Sequence, residues 1–164
     1  MKTYQILLAG ALMFGSVSTS MAQTDTKAIV EQTTQLIKAK GADFEKQVKD
    51  LYKANKKNPE ALLAIGLTFY NNKDYAKANQ FADYALQKNS KYAGAFLLKG
   101  DICVSNDDAG GASQNYQQAI YFAPKNPEGY YKYAMILRGR NPEDAVATLE
   151  DLRKQVPDYP VDAL

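Results

Sequence analysis

The stretch Lys57–Gly66, KNPEALLAIG, returns 68 residues later as Lys125–Ala134, KNPEGYYKYA, and midway between them Lys91–Gly100 reads KYAGAFLLKG. Two equal steps of 34 residues relate the three segments, so the chain is built from an internal repeat. In the first unit the apolar and small positions are Leu62, Ile65, Gly66 and Phe69, then Ala78, Ala82 and Ala85. One step on stand Phe96, Lys99, Gly100 and Cys103, then Ala112, Tyr116 and Ala119. A further step gives Tyr130, Tyr133, Ala134 and Leu137, after which Ala145, Leu149 and Leu152 come one residue early, so the third turn is shorter. Within each half the spacing is three or four, the period of an amphipathic helix. Two such helices joined by a short polar turn predict an antiparallel pair per unit.

These residues carry a resemblance to the tetratricopeptide repeat, whose 34-residue pattern runs through a large residue, a Leu-Gly, an aromatic, two alanines and a late proline. Gly66 and Gly100 take the glycine, with Ala134 in the third unit. Ala78, Ala112 and Ala145 take the first alanine, and Pro124 and Pro157 the terminal proline, which Ser90 replaces in the first unit. Leu62, Phe96 and Tyr130 stand where the family has tryptophan. The resemblance implies an all-α, right-handed superhelical solenoid of antiparallel helix pairs, with units at 59–92, 93–126 and 127–158. Small residues at the crossing let the paired backbones approach closely, as dense packing requires.

Either side of the three units the pattern weakens. Residues 23–58 read as a degenerate capping pair, with Val30, Thr34 and Ile37 on one helix and Phe44, Val48 and Leu51 on the next. Residues 159–164 start a further helix that stops after about one turn, so the third unit's outer face is expected bare. A longer chain, a partner or self-association through this unfinished end would cover it. Residues 1–22 combine Lys2, an apolar run from Ile6 to Val17, and small residues before a cleavage point after Ala22. This order predicts a signal peptide, hence an exported protein, with the bacterial periplasm or cell exterior as the expected compartment. The run is too short to span a bilayer as a helix, and no second span follows.

Lys and Arg number 20 against 18 Asp and Glu, a formal net charge of +2, which supplies no general field for nucleic acid. The chain has no histidine, so imidazole bases and ligands are excluded, and its single cysteine cannot form an internal disulfide. Cys103–Gln114, CVSNDDAGGASQ, holds that cysteine beside two aspartates and a Gly-Gly pair, yet lacks the ligand spacing of a calcium loop and the lysine of a phosphate loop. It reads as the turn of the second unit, with Cys103 in the inward place of Phe69 and Asp107-Asp108 supplying a helix cap. No residue set points to a metal, a cofactor or catalysis.

The resemblance also implies a concave groove along the first helices. The residues expected to line it are Leu63, Leu67, Tyr70, Leu97, Asp101, Val104, Tyr131, Lys132 and Met135. The family's carboxylate clamp is absent, because Leu63, Leu67 and Leu98 stand where it would need charged or amide groups. What remains is an apolar trough, with Asp101 and Lys132 expected to set its polarity. It suits a helical or extended segment of a protein partner. The expected function is a non-catalytic scaffold or adaptor of the bacterial envelope. The alternative is a binding module for a small apolar or glycan ligand in the same groove.

Overall fold

The structure, a computed structural model, describes residues 21–159. The signal-peptide expectation falls on residues outside these, apart from Met21 and Ala22, and the expected helix start at 159–164 lies outside them apart from Tyr159, which is not helical. The described residues form eight helices: α1 (Met21–Ala39), α2 (Phe44–Asn55), α3 (Pro59–Asn71), α4 (Tyr75–Lys88), α5 (Ala93–Ser105), α6 (Ala109–Phe122), α7 (Pro127–Arg138) and α8 (Pro142–Gln155). Among them no helix is long and apolar enough to cross a membrane.

Local chemistry fixes where each helix begins. Asn58, Asp74, Asp108, Asn126 and Asn141 each accept a hydrogen bond from a backbone N–H of the first turn, satisfying a donor the helix itself leaves open. Three helices place proline at the first helical position, where its missing N–H costs nothing. Within the pairs, Lys73 and Asp107 adopt left-handed backbone (φ 62° and 59°) at turn positions one repeat apart. The third turn, one residue shorter, has no positive φ. Of the two aspartates expected to cap α6, only Asp108 does so, because Asp107 is the left-handed turn residue.

Helices α3–α4, α5–α6 and α7–α8 pack as pairs, and successive pairs stack through α4 on α5 and α6 on α7. The main core joins Phe44, Val48 and Leu51 of α2 to Leu62, Ile65 and Phe69 of α3, Ala78, Phe81, Ala82 and Ala85 of α4, and Ala95, Leu98 and Ile102 of α5. A smaller core gathers Leu97, Ala112, Tyr116 and Ala119. Glycine has a steric reason at the crossings: a Cβ on Gly66 would lie 2.9 Å from Leu98 Cδ2, and one on Gly100 would lie 2.3 Å from the Tyr116 ring.

The N-terminal helices depart from the expected pair. Helix α1 lies along α3 and touches α2 only lightly. Its packed face is therefore Ile29, Thr33, Leu36 and Ile37, whereas Val30, assigned inward from the sequence, is 39% exposed. On α3 the small buried stripe Ala61, Ala64 and Thr68 leaves room for a neighbouring helix. Buried Thr33 and Thr68 donate their hydroxyls to the carbonyls of Ile29 and Ala64, which removes the cost of burying them. Helix α2 meets α3 as lightly as it meets α1 and joins α3 and α4 through its side chains. Phe44 meets Phe69 edge-on at 6.4 Å, Tyr52 packs on Tyr84 at 4.1 Å, and Glu45 pairs with Lys77 at 2.9 Å.

Candidate functional site

Adjacent first helices meet by a simple rule: residue i touches residue i+31, one repeat less about one helical turn. Leu63 Cδ2 would lie 2.7 Å from a Cβ on Gly94. The Tyr70 hydroxyl donates to the Asp101 carbonyl (3.5 Å) and shares a hydrogen bond with Ser105 Oγ (3.1 Å). Lys132 Nζ donates to both oxygens of Asp101 (2.7 and 2.9 Å). One stripe on each first helix thus serves two purposes: part of it packs on the next helix, and the rest stays open to solvent.

The nine expected groove residues divide accordingly. Leu67 (40% exposed), Val104 (44%), Tyr131 (36%) and Met135 (41%) are open apolar side chains. Leu63 and Tyr70 are half-buried against α5. Leu97 does not line the groove: it is 5% exposed, because it joins Tyr116 and Ala112 in the second core. Its register equivalent Tyr131 is open because the described residues place no further first helix beyond α7. Asp101 and Lys132 do not offer two free charges, since each is taken by the other. Asp101 also accepts from the Tyr116 hydroxyl at 2.8 Å, so one carboxylate ties α5, α6 and α7 together.

This network sets its own protonation. Burial, and then the Asp101 carboxylate, push the Tyr116 phenol far above the ordinary tyrosine range. Burial alone would lower the Lys132 ammonium, but its bonds to Asp101, helped by Glu128, outweigh that and hold it above the usual lysine value. Both groups therefore keep their protons through the physiological range, and the network is a fixed tie.

The turn around Cys103 is a corner. The thiol is half-buried rather than fully inward as its Phe69 register predicts, with Asn115 Nδ2 at 3.9 Å. Burial and the neighbouring Asp108 carboxylate raise its pKa, which suppresses the reactive thiolate. Gly111 is small because a Cβ there would lie 2.9 Å from Cys103 Sγ and closer still to the capping Asp108. Among the described residues no three Asp, Glu or Cys side chains come close enough to hold a metal ion. A cavity of about 320 Å³, floored by Val48 and Phe81 and walled by Tyr52 and Tyr84, lies between α2 and α4 and includes none of the expected groove residues.

No protein-family model matches the chain, and no curated protein matches its sequence. Its folded form nonetheless has many counterparts. MamA superposes with a TM-score of 0.61 over 82% of this chain and 80% of that one, at 17% identity. YrrB, a TPR protein with an unusual peptide-binding site, gives 0.54 over 84% and 72%, at 16% identity. TTC0263, a thermophilic TPR protein of Thermus thermophilus, gives 0.56 over 79% and 74%, at 15% identity. The chain has the tetratricopeptide-repeat fold. Within this TPR stack, sequence reasoning missed Lys99, which occupies an inward register position yet turns its ammonium to Asp83 and Asn79 of α4. It also missed the Asp101–Lys132 tie, although opposite charges 31 residues apart on successive first helices are a visible signal once the i to i+31 rule is known.

Proposed function

We propose that this chain is a non-catalytic scaffold of the bacterial cell envelope that captures a helical or extended segment of a partner protein along its trough. One observation carries the reading: Leu67 and Val104, on successive first helices, are apolar side chains about two-fifths exposed to solvent. Exposed apolar side chains clustered in a concavity gain free energy by being covered, and a helix or strand is the shape that fits between stacked first helices. That a protein of the same fold is described by a peptide-binding site supports the same use here. The export pattern of residues 1–22 supports the compartment.

A photo-crosslinking residue placed at Val104 in intact cells is expected to give a discrete adduct that the same residue at exposed Gln118 of α6 does not. Leu67→Asp should remove that adduct while circular dichroism stays unchanged, since Leu67 is open to solvent. Equal crosslinking from both positions, or an adduct indifferent to Leu67→Asp, would sink the proposal. Leu97→Asp is unsuited to this purpose, because it places a charge in the second core.

A further inference from the structure

The stripe of α7 that carries the expected groove residues Tyr131 and Met135 is self-complementary. Glu128, Tyr131, Met135 and Arg138 follow each other at intervals of three, four and three, so they lie along one face of the helix. All four are exposed. Read in either direction, the stripe pairs with itself: acid opposite base at the ends, aromatic opposite thioether in the middle. Arg138 has no acidic partner among the described residues, whereas Glu128 pairs with Lys132 at 3.6 Å while its side chain stays 54% exposed. The same register in the second unit is covered, Leu97 being buried where Tyr131 is open.

We infer that two copies of this chain associate through α7 about a two-fold axis, with the helices antiparallel. The axis passes beside the midpoint of the stripe, so Tyr131 of each copy lies against Met135 of the other. Each Glu128 then faces the other copy's Arg138. Sulfur against an aromatic ring and a charge-assisted Arg–carboxylate pair are both favourable, and antiparallel dipoles add to them. A parallel arrangement would set Glu128 against Glu128 and Arg138 against Arg138. The antiparallel one closes on itself, as an isologous dimer does. Such a dimer covers Tyr131 and Met135, two of the four open residues of the expected groove, and leaves Leu67 and Val104 for a peptide, so the crosslinking and sedimentation experiments fail independently.

The test is sedimentation equilibrium of the full chain and two charge variants. Wild type is expected at twice the mass of one chain across micromolar concentrations. Glu128→Arg alone and Arg138→Glu alone should each sediment as a single chain with unchanged helicity, because each sets like charges against one another at both ends of the stripe. Mixed in equal amounts, the two variants should form a heterodimer, since every acid then faces a base. Wild type remaining a single chain overturns the inference, and leaves the stripe to a foreign helix or to a further repeat. So does a variant that dimerises alone, or a mixture that does not dimerise.

Discussion

Replacing Gly100 with alanine probes the packing of the second unit more sharply than any truncation. An added Cβ would lie 2.3, 2.6 and 2.9 Å from Cε1, Cδ1 and Cζ of Tyr116. The ring has little freedom to swing aside, because it is 2% exposed and its hydroxyl is bound to Asp101 at 2.8 Å. Overpacking of this kind costs about 1–3 kcal/mol, and a weakened bond to a carboxylate adds about 1.5–3 kcal/mol. Alanine returns roughly 1 kcal/mol in helix propensity. The expected net destabilisation is about 1.5–5 kcal/mol. Two other glycines serve as controls of opposite character. At Gly66 the closest neighbour is the end of Leu98 at 2.9 Å, with the Ala78 carbonyl oxygen and Phe81 Cβ at 3.3 Å, so Gly66→Ala should cost less than Gly100→Ala, about 1 kcal/mol once propensity is counted. At Gly139 nothing lies within 4 Å and φ is −81°, so Gly139→Ala should stabilise by roughly 0.4–1 kcal/mol. Urea denaturation of the three variants, followed by circular dichroism, gives the order directly. A Gly100→Ala protein as stable as wild type, or one less perturbed than Gly139→Ala, would refute the close approach of α5 and α6 described above.

The network at Asp101 should be felt across two units: Asp101→Ala strands a half-buried ammonium and a buried phenol, costing about 2–3 kcal/mol by urea denaturation, with Asp101→Asn costing about half as much. Equal stability of wild type and Asp101→Ala would show that the tie contributes nothing. Alkali supplies a separate check. Tyr116 and Lys132 both hold protons more tightly folded than unfolded, so their stabilisation is complete below the unfolded values near 10 and is lost as pH climbs through the folded ones. Melting temperature should therefore fall above about pH 10. Tyr116→Phe should make that fall shallower, and an identical slope in the variant would count against the assignment.

Much of the fold is legible along the chain because a repeat protein writes its packing into a period. Gly66 and Gly100, with Ala78, Ala112 and Ala145, mark helix crossings by their size alone, and Asn58, Asp74, Asp108, Asn126 and Asn141 mark helix starts by a local hydrogen bond. Such features depend on neighbours a few residues away, or on one step of the period, so the sequence determines them by itself. Which side of a helix is finally covered depends on the helix laid next to it. Val30, read as inward, is open and Thr33 is buried, because α1 rests on α3. Leu97 and Tyr131 share a register position, yet one is core and the other open, because α7 lies beside α5 and the described stack ends at α7. Asp101 and Lys132 look like free groove charges until the offset between stacked helices brings them within 2.7 Å. The period determined the helices and their pairing. Only the lateral packing of one unit on the next decided which of their faces remain open to meet another molecule.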